Sequence, residues 1–526
     1  MRLIYNIRYA RKALLAFMLF TSHCSLFVSR AAAQDTLWVR YDNRFKANQR
    51  VLLTDVDSMR FQTGSLLLYK SDGTYTTQVY SLMPIDESSM MFSNPGRYLL
   101  KPSTYRDTDY ENDAATTGYN FAHSMESEHF AVFWDARFGS NPDRISIGSY
   151  TCSANSVLSI AERCWETYVG QLGFLKEGHS TTDKYKVQLY IPYQTDWRAD
   201  ASGTDGASGG KTGIGHFNPW AATARGGHTV AHEVGHTFQY LVSADLGMTH
   251  GFNYGYGSGA SGGNGWWESC ADWQAYKVFP ERQFTDGEYF EGHLPLCHLN
   301  LMHEGWRYEN CFIQDYWCMK HGQDFIGRLW RESVKPEDPV EAYQRLCGLT
   351  QEQFNDEQME GCMRMATWDI DGIRERAAHR IGQHKTYLNQ VSGTTDTWRS
   401  DVAHCIQNYG YSIINMRTAR TGTTVKANFR GIAGTTGWRS VNVDKAGWRY
   451  AFVALMNDGT RVYGTVSADR EGTAELTIPE GTCTRLFFVV MGAPTQYWRH
   501  AWDDNDANDE QWPFEVQFEN TNLLGK

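Results

Sequence analysis

The 526-residue sequence predicts a multidomain chain, with an α+β middle domain flanked by an N-terminal β domain and a C-terminal β-sandwich. Three observations carry that expectation. The length exceeds what one hydrophobic core supports. Apolar residues alternate with period two towards both ends of the chain, but recur every three to four positions in the middle. Turn-forming pieces such as 72-DGT-74 and 94-NPG-96 separate the short alternating runs. Apolar residues make up 41% and charged residues 21%, a globular balance that does not indicate disorder.

Residues 1–33 read as a secretory signal. Arg2, Arg8, Arg11 and Lys12 precede the apolar stretch 13–28, and Ala31, Ala32 and Ala33 supply small residues before a cleavage point. Thr21, Ser22 and His23 interrupt the stretch, which favours cleavage over a permanent anchor. His23 also stands where a lipoprotein signal needs a small residue before Cys24. The expected product is secreted, periplasmic or on the cell surface, with no integral membrane segment after signal removal.

Cleavage removes five of the 49 basic residues (the four above and Arg30) and no acidic ones. The remaining 44 face 60 acidic residues, a net charge of −16, which argues against nucleic acid or anionic membrane as partner. Ten of the 11 cysteines remain, scattered and without a CxxC pair, so disulfides and buried free thiols both suit the chain. None lies between Gln34 and Tyr150.

In chain order, residues 34–125 form the N-terminal β domain, through runs such as 37–42, 51–61 and 65–71. The polar stretch 106–118 reads as a linker. Residues 126–390 form the middle domain, with strands at 129–134 and 185–193 and a helix at 154–174. Its helical second half includes 312–322, 325–333, 340–349 and 358–370. Residues 391–526 carry seven short strands (411–416, 423–429, 448–455, 461–467, 474–479, 485–492 and 513–518), the count of a β-sandwich.

The chemistry sits in 229-TVAHEVGHTFQYL-241. His232 and His236 stand four residues apart and therefore share one helical face, and neutral imidazoles at that spacing can bind one metal ion. Glu233 directly follows the first histidine. A catalytic zinc usually takes three protein ligands. The continuation with Gly three residues on and His six residues on fails, because Gln239 and Val242 occupy those places. A glutamate from a following helix remains, and 265-GWWESCADWQAYKVF-279 offers Glu268, with Asp272 four residues later on the same face. His228 and His250 are rival ligands.

This set resembles the gluzincins, the thermolysin-like clan of zinc metallopeptidases. The resemblance implies that His232, His236 and Glu268 bind Zn2+, that Glu233 is the catalytic base, and that Asp272 orients a ligand histidine. It also implies a donor for the developing oxyanion. The segment 297–310, read as a helix, offers His298, His303 and Tyr308, of which Tyr308 is favoured. In the same comparison 214–222 takes the place of an edge strand that pairs with substrate backbone, and the loop 250–265 that of a mobile cleft wall. HEVGHTFQ is similar to the HExGHxxQ form of enhancin-like peptidases, some of which attack mucin-type glycoproteins. The general layout also resembles secreted bacterial multidomain proteins of unassigned function.

The resemblance thus implies a zinc-metallopeptidase-like middle domain and an endopeptidase acting on extracellular protein or glycoprotein. Two alternatives stand beside it: a glycan- or protein-binding surface factor with a structural or vestigial zinc site, and a zinc hydrolase of a non-peptide bond. The acidic run 503-DDNDANDE-510 is a candidate Ca2+ site, although it lacks EF-hand spacing. Six tryptophans of the last domain, from Trp398 to Trp512, are candidates for sugar stacking or for core.

Overall fold

In a computed structural model of the chain, the described residues are 97, 99–201, 213–254, 263–285, 287–503 and 505–526. Before them come the segments 4–6, 24–28, 36–41, 49–52, 55–62, 65–70 and 74–79. Most of the signal reading (2, 8, 11, 12, 30–33), the glycine-rich turn 202–212 and the loop core 255–262 lie outside these residues. Backbone contacts divide the chain into two units, Met1–Trp165 with Lys176–Asp245, and Glu166–Leu175 with Leu246–Lys526.

The first unit begins with antiparallel strands. Thr36–Tyr41 pairs with Cys24–Val28 and Gln49–Leu52, while Ser58–Gln62, Ser65–Tyr69 and Tyr75–Val79 form a meander with Ile4–Asn6 at its edge. Its larger sheet runs in the order Ala199–Ala201, Ile214–Phe217, Val187–Ile191, Phe130–Trp134, Ser124–Glu126. The three central strands are parallel and the two outer ones antiparallel to their neighbours. Every residue of the central strands is buried, as expected of parallel strands covered on both faces. The outer strands are half-buried throughout.

Two readings change here. Ile214–Phe217 is paired on both sides, so its backbone is already committed, and Ala199–Ala201 takes the edge position. The stretch 106–118 is a series of turns rather than a linker. Tyr110 is 2% exposed, packs on Phe133, and its hydroxyl lies 3.0 Å from that of Tyr190. One aromatic side chain among polar turn residues is enough to fold the segment onto the sheet.

Helix Ala154–Trp165 continues into a π-helical stretch, Glu166–Gln171. The α-helical part packs on helix His228–Asp245, with Trp165 and Phe238 edge to face at 5.8 Å.

The second unit supplies further helices. Among them are Gly263–Val278, Gly287–Leu296, Ile313–His321, Phe325–Glu332, Pro339–Cys347 and Gln351–Met365. The last starts well before the apolar pattern at 358. Thr350 and Gln353 close a capping box there, which begins the helix in a polar stretch. Leu172 and Phe174 belong to this unit's interior. A Cβ on Gly327 would come 2.0 Å from the Leu172 carbonyl oxygen, and Phe174 packs 6.4 Å from Trp330.

Two antiparallel sheets complete the unit. One runs Leu388–Gln390, Thr397–Ser400, Phe514–Glu519, Thr424–Gly431, Glu471–Thr477, and the other Tyr411–Met416, Cys483–Gly492, Trp448–Met456, Arg461–Tyr463. Their alternating inward residues, including Phe429, Tyr450, Phe488 and Val516, share one apolar cluster. Trp398, Trp448, Trp502 and Trp512 are all buried, so they are core rather than a stacking platform. No disulfide joins the cysteines from Cys152 onward. Among the described residues no helix is long and apolar enough to cross a membrane.

Candidate metal centre

Helix His228–Asp245 carries the HEVGH motif. Its left-handed lead-in, Arg225–Gly227, turns the chain sharply into the first helical residue. Its far end is tied down by Asp245, whose Oδ1 accepts the Thr181 backbone N–H at 2.8 Å. Burial of Val230, Val234, Phe238, Leu241 and Val242 fixes the rotation of the helix.

His232 and His236 lie with ring centroids 4.6 Å apart and planes nearly perpendicular. His236 Nδ1 is 2.9 Å from Gln239 Oε1. With Nδ1–H donating to that oxygen, the Nε2 lone pair faces away from the amide and is free for a metal ion. Gln239 is fully buried, so this contact is protected from water. In the sequence Gln239 served only to exclude one zinc lineage and to mark another.

Glu268 comes from helix Gly263–Val278, and a buried polar network holds that helix. Trp273 Nε1–H donates to Asp315 Oδ1 at 3.2 Å, Gln283 Nε2–H donates to Oδ2 at 2.6 Å, and Lys277 pairs with the same carboxylate. Gly265, in the first turn, lies so near the Met302 carbonyl that a Cβ there would come within 2.7 Å of the oxygen. Trp266 stacks on Trp317 at 5.3 Å and Trp267 meets Trp330 edge to face at 5.0 Å.

One ligand atom each from His232, His236 and Glu268 lie within 4.8 Å of one another, and all three residues are buried. Two imidazoles and one carboxylate are a donor set that suits a divalent ion such as zinc, so these residues could hold one. Glu233 is 6% exposed and Asp272 is fully buried one turn beyond Glu268. Burial and then the Asp272 and Asp315 carboxylates raise the Cys311 thiol well above its ordinary pKa. Neither rival ligand joins the group: His228 is buried in the helix's first turn, and His250 lies 2.9 Å from Thr249 Oγ1.

The oxyanion candidates change most. Residues 297–310 are turns around a short 3-10 element, Glu304–Trp306, and not a helix. The helix ends at Leu296, with Pro295 inside its last turn. His298 Nδ1 faces the Pro295 carbonyl at 3.1 Å, and His303 is bound to Asp509 and the Gly305 backbone. Tyr308 is half-buried, stacked near Tyr289 and covered by the Arg307 guanidinium at 4.8 Å.

The acidic run does not assemble an all-oxygen site among the described residues. Asp503 accepts from the Asn505 and Asn508 nitrogens, Glu510 accepts the Asn408 backbone N–H, and Asp509 faces His303. The candidate metal groups that include its acids each also contain histidine, which departs from the oxygen set calcium prefers.

No curated protein matches the chain. Residues 92–525, spanning the larger sheet, both motif helices and the C-terminal sheets, match a family of unknown function (DUF6055), and the chain belongs to that family.

Proposed function

We propose that the protein is a zinc-dependent endopeptidase acting on extracellular proteins or glycoproteins, with His232, His236 and Glu268 as ligands. The observation that carries this reading is the proximity of three buried ligand side chains, two of them, His232 and His236, on the helix that also bears Glu233. A structural metal site has no use for a carboxylate between its two histidines. When bound, the ion supplies Lewis acidity and lowers the pKa of a coordinated water to about 7.

The chain's own residues do the rest. Glu233, one residue along from His232, accepts the proton of the attacking water and passes it to the leaving amine. Gln239 holds His236 in the tautomer that presents Nε2. Asp272 would orient a ligand histidine, and Tyr308 is the donor assigned to the developing oxyanion.

The rival reading, a binding protein with a structural zinc site, draws on the burial of all three ligands, each 7–9% exposed. One experiment separates the two. Casein and a mucin-type glycoprotein are incubated with the wild type, with Glu233→Gln and with a chelator, and the fragments are read by mass spectrometry. Cleavage that vanishes in Glu233→Gln while zinc content holds supports the peptidase. Cleavage beside glycosylated Ser or Thr assigns the glycoprotein class. Zinc retention with no cleavage of either substrate supports the binding protein.

A further inference from the structure

A second histidine group stands apart from the HEVGH motif in sequence and chemistry. His293 lies in helix Gly287–Leu296, Cys297 follows four residues on, and His384 comes from the connector after Arg380. Their ligand atoms lie within 4.8 Å of one another, and all three residues are buried. His293 Nδ1 faces the Glu309 carbonyl at 2.9 Å, so this nitrogen carries the proton and Nε2 presents a lone pair. Tyr411 O–H now donates to that lone pair at 2.9 Å. The Cys297 thiol faces the His293 carbonyl at 3.1 Å.

His384 is the telling member. It is 4% exposed, and neither of its ring nitrogens has a hydrogen-bond partner. A buried imidazole with both nitrogens unsatisfied is unfavourable, and a metal ion on its lone pair would relieve part of that cost. Cys297, His384 and Tyr411 also line a cavity of ≈ 10 Å³, room for one small sphere.

The neighbouring His303–His500–Asp509 group shows what a satisfied cluster looks like. There the Gly305 N–H donates to His303 Nδ1 at 2.9 Å, so the ring proton sits on Nε2 and donates to Asp509 at 3.1 Å. A metal on that Nε2 would require an imidazolate. The His293 group carries no such obstacle.

We propose that His293, Cys297 and His384 form a second metal site that takes a thiophilic d10 cation, zinc(II) or copper(I). Thiolate with imidazole is the donor set that selects these ions over calcium or magnesium. Binding forms one metal–sulfur and two metal–nitrogen bonds, breaks the Cys297 S–H bond and releases that proton to the buffer. The Tyr411 hydrogen bond to His293 Nε2 gives way. Zinc bond lengths of about 2.0 Å to nitrogen and 2.3 Å to sulfur require donor separations of roughly 3.5 Å, so donors that now lie within 4.8 Å of one another need close only slightly.

The test is a metal titration of the full chain after chelator treatment. Cobalt(II) is the first probe, because the His232 group contains no sulfur and gives no thiolate-to-cobalt charge-transfer band. The expected result is such a band, saturating once cobalt suffices for both groups, with the intensity of one thiolate ligand per chain, displaced by zinc and lost in Cys297→Ser and His384→Gln. Copper(I), titrated against a chromophoric chelator, is the second probe. Stoichiometric binding in that arm alone, lost in the same variants, assigns copper. No thiolate band and no copper binding, or signals unchanged in both variants, overturns the proposal. Circular dichroism of each variant shows that the lost signal is not lost fold.

Discussion

Gln239 Oε1 lies 2.9 Å from His236 Nδ1, three residues along the same helix. The contact fixes which nitrogen of His236 is protonated, and so which one can serve as a ligand. Gln239→Ala is expected to weaken zinc binding by about 10–100-fold, the usual cost of losing such a partner. Gln239→Glu, which keeps an acceptor, is expected to restore most of it. Competition with a fluorescent chelator measures both, and equal affinity in the wild type and the alanine variant would remove Gln239 from the site.

Gly265 is required by steric contact rather than by its backbone angle. A Cβ at that position would meet the Met302 carbonyl oxygen at 2.7 Å, closer than real contacts allow. Gly265→Ala therefore displaces the first turn of the helix that carries Glu268. The expectation is a loss of about 1–3 kcal/mol in urea denaturation, in the range of overpacked cores, together with reduced zinc content. Normal stability and normal zinc would refute the Gly265–Met302 contact.

Asp315 collects donors from Trp273, Lys277 and Gln283 in the interior of the same unit. Removing the carboxylate strands Lys277, whose side chain is only 26% exposed. Asp315→Ala is expected to cost about 3–5 kcal/mol, the range for breaking a buried pair. Asp315→Asn keeps one acceptor oxygen, for Trp273 or for Gln283 but not at both sites, and is expected to cost less than the alanine variant. A thermal scan of the three proteins ranks them, and an alanine variant as stable as the wild type would refute the network.

Asp338 caps helix Pro339–Cys347 and is fully buried, and burial pushes its pKa up to about 7 from 3.8. The folded state then holds a proton that the unfolded state releases between roughly pH 4 and pH 7. Over that window the folded form binds more protons, so stability falls as pH rises. The slope approaches about 1.4 kcal/mol per pH unit. Asp338→Asn, which still caps the helix, is expected to flatten that slope and gain stability at pH 8. Parallel denaturation curves at pH 5 and pH 8 that differ equally in both proteins would dismiss Asp338 as the source.

Local pattern made much of this legible. The spacing of His232 and His236, the Glu268–Asp272 pair four apart and the seven alternating runs after residue 410 each depend on a few neighbours in sequence. One ligand atom each of His232, His236 and Glu268 lie within 4.8 Å of one another. What stayed hidden depends on distant partners. Strand order placed Ala199–Ala201 outside Ile214–Phe217, and no periodicity reports strand order. Pro295 and the long-range pairing of His303 with Asp509 unmade the helix expected at 297–310. The strands Leu388–Gln390 and Thr397–Ser400 went unread because they are short and largely polar. Gln239 was visible as a letter in a motif, but its bond to His236 required coordinates.

The placement of residues 166–175 has a practical side. This ten-residue loan to the second unit, with Leu172 and Phe174 in its interior, leaves and re-enters the first unit between Trp165 and Lys176. A cut after Asp245 therefore does not yield two self-sufficient pieces. The leading fragment would carry apolar side chains made for another interior, and the trailing fragment would fold around a gap. Truncation libraries that treat the motif helix as a domain end should give insoluble halves, which recover only when both are produced together.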